Sequence, residues 1–235
     1  MDRAARGTAD DRTDDFAGWR SSYPVRQPTY ERPASTMTRI ISGMTVSLDG
    51  YIAGPDDSRD QPLGMGGDRL FTWYSDGDTP SRIYPSFRLS KPSAEFFDEF
   101  ASRCGAVITG RHTYDVVDAW DGHGPLPGVP LFVLTHSIPG DVPDSHPPYT
   151  YATGGIADAV GRARAAAGGK DVSIMGSAGV QQALREGLLD ELILHQVPVL
   201  LGGGVRLLDH VEGTLRCTRV VDAPGVTHLA YDVVR

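Results

Sequence analysis

Residues 171–201, DVSIMGSAGVQQALREGLLDELILHQVPVLL, decide the fold. The run 171–175 is β-branched and apolar, the length of one buried strand. Gly176 breaks it, a helix is predicted over 178–186, and Gly187 stops that helix. A long apolar strand over 190–201 follows, before the triplet Gly202-Gly203-Gly204. Strand, helix and strand in this order make a unit whose two strands lie parallel, with the helix packed across the sheet.

The same alternation extends outward. RIISGMTV (39–46) reads as a first strand, ending at the turn-like Asp49-Gly50. SAEFFDEFASR (93–103) spaces Phe96, Phe97, Phe100 and Cys104 as a helix does, with Ser93 as its cap. A strand over 105–109, a helix over 111–119, the strand PLFVL (130–134) and a short strand near 149–152 come next. A helix over 156–167 ends at Gly168-Gly169, and TLRCTRVV and VTHLAYDVV form a hairpin around DAPG. The expected fold is α/β: a mainly parallel mixed sheet with antiparallel C-terminal strands and helices on both faces.

Two stretches break the pattern. Residues 1–36 carry six basic and six acidic residues, no Leu and no Ile, and end in YPVRQPTYERPAST. Such a segment buries too little apolar surface to offset its ordering entropy, so it is expected to be a disordered tail, with one domain over 37–235. Residues 54–93 form a Gly/Pro/Asp-rich insertion containing Trp73 and Tyr74, of a length that compact domains reserve for lids and binding loops.

Composition excludes several roles. The 235 residues are 40% hydrophobic with a net charge of −8, which opposes binding to nucleic acid or an anionic membrane. No apolar run approaches the roughly 20 residues that span a bilayer, and no secretory apolar core opens the chain, so a cytoplasmic location is expected. Cys104 and Cys217 are far apart among apolar neighbours and are expected to be buried thiols. The scattered histidines form no HExxH or other metal spacing, and no metal is expected.

Four strand ends carry polar chemistry, and ligands of open α/β sheets bind beyond the carboxyl ends of strands. Asp49-Gly50 is either a plain turn or a carboxylate placed beside a substrate. In Gly110-Arg111-His112-Thr113 the arginine can neutralise a phosphate that Thr113 or a backbone N–H contacts, although many strand-to-helix turns look similar. Thr135, His136 and Ser137 can grip a ribose phosphate or simply make a polar loop. Gly176, Ser177, Ala178, Gly179 and Val180 bring backbone N–H groups to a helix start, where a pyrophosphate fits and where Ser177 is alternatively a cap. The chain has no GxGxxG after its first strand, no GxxxxGK[ST] and no GxSxG.

Taken together, MTVSLDGYIAGPDD, GAVITGRHTYDVVDAW, VPLFVLTHS and the stretch VSIMGSAGVQQALREGLLDELILHQVPVLLGGGVRLL resemble the dihydrofolate-reductase-like superfamily over about residues 38–234. They are most similar to the reductase domain of the bacterial riboflavin-biosynthesis deaminase/reductase. The resemblance implies NADPH as cofactor and a homodimer. It implies that Gly110, Arg111 and Thr113 contact phosphate, that residues 135–137 contact the adenosine 2′-phosphate, and that residues 176–180 cover the pyrophosphate and nicotinamide. Asp49 matches the acidic residue of the SLDG motif, near the substrate, and is the candidate for anchoring substrate or relaying a proton. Trp73 or Tyr74 is a candidate for stacking on a flat ring, with packing against the core as the alternative; Glu191 is expected to be structural.

Two departures stand out. The family pairs two glycines where this chain has Gly176-Ser177, and the HxE…PCxxC signature of a zinc deaminase is absent from these 235 residues. The expected activity is hydride transfer from NADPH to a small heterocyclic or sugar-derived substrate, as in reduction of 5-amino-6-(5-phosphoribosylamino)uracil. Alternatives are a pterin, nitro-compound or other small-molecule reductase of the same fold, and a non-catalytic nucleotide-binding protein.

Overall fold

The structure, a computed structural model, describes residues 37–235; the tail expected over 1–36 lies outside them. Among the described residues, twelve strands and four α-helices follow one another. In chain order the strands are β1 (Ile40–Ser47), β2 (Tyr51–Ala53), β3 (Thr79–Pro80), β4 (Arg88–Leu89), β5 (Cys104–Gly110), β6 (Leu131–Leu134), β7 (Thr150–Ala152), β8 (Asp171–Met175), β9 (Glu191–Val197), β10 (Val205–Arg206), β11 (Thr214–Ala223) and β12 (Val226–Val234). The helices are α1 (Lys91–Arg103), α2 (Arg111–Val116), α3 (Gly155–Ala166) and α4 (Ser177–Arg185).

Eight strands form one sheet in the order β11-β12-β9-β1-β8-β5-β6-β7. From β9 to β7 every pairing is parallel, and the β11–β12 hairpin adds the two antiparallel ladders. The expected mixed sheet is therefore present. Side chains alternate across it: Ile108, Val172, Ile174 and Leu192 pack with Ile156, Val160 and Val180 of α3 and α4. On the other face Ile193 and Ala230 meet Phe96 of α1, and Val107 and Val133 meet Tyr114 of α2. Gly43 lets α1 approach closely, since a Cβ there would lie 2.5 Å from the Phe100 ring.

Several boundaries differ from the sequence reading, each for a local reason. The α1 cap is Ser90, whose Oγ accepts the Ser93 N–H, while Pro92 occupies the first turn. Ser93 lies inside the helix, buried, with its Oγ 2.9 Å from His228 Nε2. β9 ends at Val197 rather than 201, because Pro198 has no N–H for the ladder and the chain turns there. α2 stops at Val116, short of the expected 119. Beyond it Asp118, Ala119, Trp120 and Asp121 all take left-handed conformations (φ 48–52°), each costing roughly 1–2 kcal/mol for a side-chain-bearing residue. The Tyr149 hydroxyl, donating to the Ala119 carbonyl at 2.8 Å, helps hold that turn.

The 54–93 insertion divides into two parts. Its first part is an ordered loop, with Gly54 N–H to Leu63 O and Met65 N–H to Pro55 O, both 2.8 Å. Its second part contains a 3-10 helix, Gly67–Tyr74, which drives Leu70 and Trp73 into the core beside Leu89 and Phe97. Cys104 is buried as expected, but Cys217 is exposed: β11 is an edge strand and presents most of its side chains to solvent. Among the described residues no helix is long and apolar enough to cross a membrane.

At the amino ends of the strands, away from the carboxyl-end loops, lies an ionic cluster. Arg103 joins Glu191 (2.6 Å) and Asp171 (2.8 Å), and Arg39 joins Glu191 (3.1 Å) and Asp232 (2.7 Å). Glu191 thus has the structural role expected of it.

Candidate active site

The carboxyl ends of β5, β6 and β8 open into one cavity of about 630 Å3. Gly110, Arg111 and Thr113 line it from the β5–α2 turn, Thr135, His136 and Ser137 from the end of β6, and Gly176, Ser177, Ala178 and Gly179 from the β8–α4 turn. Three segments scattered over 70 residues of sequence therefore share one space, because parallel strands deliver their ends to the same edge. The loop after β2 closes the remaining side through Asp57, Pro62 and Leu63.

Within the cleft the polar groups are partly committed. Arg111 Nε binds the Asp115 carboxylate at 2.8 Å, and its Nη1 donates to the Ser137 carbonyl at 3.3 Å, so the guanidinium bridges α2 and the 135–137 segment. Thr135 Oγ1 donates to the same carbonyl at 2.8 Å and stiffens that loop. Gly176 caps α4 with φ 83° and ψ 145°, outside the reach of most L-residues, and a Cβ there would stand 2.9 Å from Thr113 Oγ1. Ser177 is not a cap. It is the first residue of α4 and lines the cleft, and its side chain has no hydrogen bond among the described residues.

Three residues assigned by sequence lie elsewhere. Val180 lies on the core-facing side of α4, buried, while Gly179 and Gln182 of the same helix line the cavity. Trp73 is 1% exposed and touches His195, His228 and Phe97 rather than the cavity. Its place as a wall of the cleft is taken by Phe71. Asp49 does not line the cavity either. Its carboxylate accepts the Ser47 hydroxyl (2.6 Å) and the N–H groups of Gly202 (2.7 Å) and Leu201 (3.2 Å), tying β1 to the glycine loop after β9. These bonds, the Ser47 hydroxyl foremost, hold its carboxyl well below the usual range, at about 2. A group so acidic and so engaged is a poor proton relay.

The family model described as the RibD C-terminal domain matches residues 38–228. The chain belongs to the RibD C-terminal domain family. A structure of a Shewanella sp. PV-4 protein named for riboflavin biosynthesis is similar at a TM-score of 0.61 and 26% identity, covering 84% of this chain and 100% of that one. A pyrimidine reductase-like protein of Corynebacterium diphtheriae matches at 0.54 and 16%, covering 87% and 96%. A diaminohydroxyphosphoribosylaminopyrimidine deaminase/5-amino-6-(5-phosphoribosylamino)uracil reductase of Thermotoga maritima matches at 0.53 and 13%, covering 84% of this chain and 57% of that one. The latter two attest the shared fold. No curated protein matches the chain.

The RibD-type cleft suits a nicotinamide dinucleotide in its donor chemistry. The first-turn N–H groups of α4 have no intrahelical acceptors and open beside the cavity, uncovered because Gly176 carries no side chain. Arg111, Thr135, His136 and Ser137 add a cation, two hydroxyls and an imidazole at the mouth.

Proposed function

We propose that the chain is an NADPH-dependent oxidoreductase that delivers hydride to a small heterocyclic or sugar-derived substrate, the reaction type of the uracil reductase named in the Thermotoga maritima relative. The observation that carries this reading is the convergence of residues 110–113, 135–137 and 176–179 on one cleft at the ends of parallel strands.

The bound cofactor supplies the hydride; the chain supplies position and exclusion of water. The N–H groups of residues 177–179 hold the pyrophosphate, and Arg111, Thr135, His136 and Ser137 hold the adenosine 2′-phosphate. Met44, Ile52 and Phe71 keep the inner cleft dry. The proton that completes the reduction enters with solvent, since the titratable lining residues, Asp57, Arg111, His112 and His136, belong to the loop and strand-end segments around the mouth. The reading includes a cytoplasmic homodimer; the long β11 edge, with Leu215 and Val220 exposed, offers a surface for a second copy.

Calorimetric titration of the full chain with NADPH tests the cofactor, with saturable binding expected and absence of binding refuting it. The occupied carboxylate of Asp49 favours a second reading, a nucleotide-binding protein without turnover. Loss of the reduced-nicotinamide absorbance on adding carbonyl or heterocyclic compounds separates the two.

A further inference from the structure

The cleft has two chemically different ends. The end bordered by α2 and residues 135–137 holds Arg111, His112 and His136, with Asp57 of the loop facing His112. At the other end the walls are Met44 of β1, Ile52 and Ala53 of β2, Leu63, Phe71 and Val205. These segments belong together: Val205 pairs with Ala53, and Gly54 N–H bonds Leu63 O. This end also adjoins the glycine turn. β1 runs parallel to β8 with Ile41 opposite Ser173, and Met44, further along β1, and Gly176, just past β8, both line the cavity.

No cation lines that end among the described residues. Nearby arginines are committed or turned out: Arg206 stacks on Tyr51 and donates to the Asp49 carbonyl, Arg59 binds Asp118 and the Asp115 carbonyl, and Arg69 is exposed outside the cavity. A phosphomonoester carries close to two negative charges and is recognised by arginine forks, lysines or N–H nests. The N–H groups of α4 and the Arg111 guanidinium are already assigned to the cofactor. A second phosphate would be buried against methionine, isoleucine, leucine and phenylalanine without a counter-charge, an arrangement proteins avoid. What the apolar end does offer is neutral. Gln182 and Ser177 line the cleft, and neither side chain is hydrogen-bonded within the described residues.

From this division we infer that the substrate is an uncharged, ring-bearing carbonyl compound and not a phosphorylated sugar derivative. The inference rests on the nicotinamide reading and narrows its substrate class. The ring packs between Ile52, Leu63 and Phe71, and the carbonyl oxygen accepts from Gln182 or Ser177. Hydride forms the new C–H bond at the carbonyl carbon, the π pair moves to oxygen, and that oxygen takes a proton from water. The alcohol leaves, and the nicotinamide is left oxidised.

Calorimetry on the full chain tests this without requiring turnover. NADP+ is titrated first. The NADP+-saturated protein is then titrated with 1-tetralone, with 1-naphthyl phosphate and with ribose 5-phosphate. The expected result is 1-tetralone binding at least about tenfold more tightly than either phosphate, with a Kd that changes less than about twofold as salt is raised through the range that screens charge pairs. In Leu63→Arg, 1-naphthyl phosphate is expected to gain about tenfold over the unsubstituted chain. Failure of NADP+ to bind overturns this inference together with the nicotinamide reading. Normal NADP+ binding followed by equal or tighter binding of either phosphate, or by no binding of 1-tetralone, overturns this inference alone.

Discussion

Asp57 and His112, 55 residues apart, meet side chain to side chain across the edge of the cleft, with Oδ2 2.6 Å from Nε2. Arg59 adds two further ties from the same loop, to the Asp115 carbonyl at 3.1 Å and to Asp118 at 3.3 Å. The loop carries its own internal hydrogen bonds, and these contacts latch it onto α2 and the turn that follows.

The latch is exposed, with 63% of the His112 side chain accessible, so His112→Ala is expected to change folding stability by less than about 1 kcal/mol. Its effect belongs to the ligand. Release of NADPH, followed by stopped-flow fluorescence, is expected to accelerate several-fold in His112→Ala and in Asp57→Ala alike. Unchanged release in both variants removes the loop from the binding step.

A second relationship governs acid stability. His195 and His228 face each other on β9 and β12, Nδ1 to Nδ1 at 2.8 Å. Burial, with His228 adding repulsion, lowers His195 to about 3; burial, with Arg219 adding repulsion, lowers His228 to about 4. Their folded values lie below the unfolded one, so the stabilisation is complete above about pH 6.5 and is lost as pH falls, the unfolded chain taking up the protons. Urea midpoints are expected to drop steadily between pH 6.5 and 4, with both histidines contributing to the slope. His195→Gln, which retains a hydrogen-bonding side chain, is expected to halve that slope.

Gly176 is the position at which the cleft tolerates no side chain. Alanine at φ 83° must adopt a glycine-type conformation at a cost of about 1–3 kcal/mol, and its methyl would crowd Thr113 Oγ1 at 2.9 Å. Gly176→Ala is expected to weaken NADPH at least about tenfold by calorimetry. Wild-type affinity in a folded Gly176→Ala protein would show that the dinucleotide does not cross this turn.

For Asp49 the structure predicts a scaffold phenotype. Its low value means that the carboxylate stabilises the fold above about pH 4, and that this contribution disappears as pH falls toward about 2. Asp49→Asn is expected to lower Tm and to speed hydrogen exchange at the Leu201 and Gly202 amides, while the pH dependence of turnover keeps its shape. Collapse of turnover with unaltered exchange would restore Asp49 to the chemistry.

The strands, and the three turns that build the cleft, were readable because each is a local signal: an apolar run, a glycine, then helix-forming residues. Parallel strands do the rest by bringing distant turns to one edge. Long-range partners leave no such trace. Asp49 meets Gly202 across 153 residues, and nothing in SLDG reveals that its oxygens are taken. Trp73 and Phe71 sit two apart in one short helix and differ only in which side faces the core, while Val180 differs from Gly179 by one step around α4. The left-handed run 118–121 was invisible because aspartate, alanine and tryptophan do not favour it; tertiary contacts impose it. Phe71 could have been found from its proximity to Trp73, had the 3-10 segment been recognised.

The ion pairs joining Arg39 and Arg103 to Asp171, Glu191 and Asp232 grip the sheet at the pole away from the cleft. Cohesion and chemistry therefore draw on separate sets of residues. Sequence changes in the loops over the opening leave the arginine clasp, and the strand register it holds, untouched.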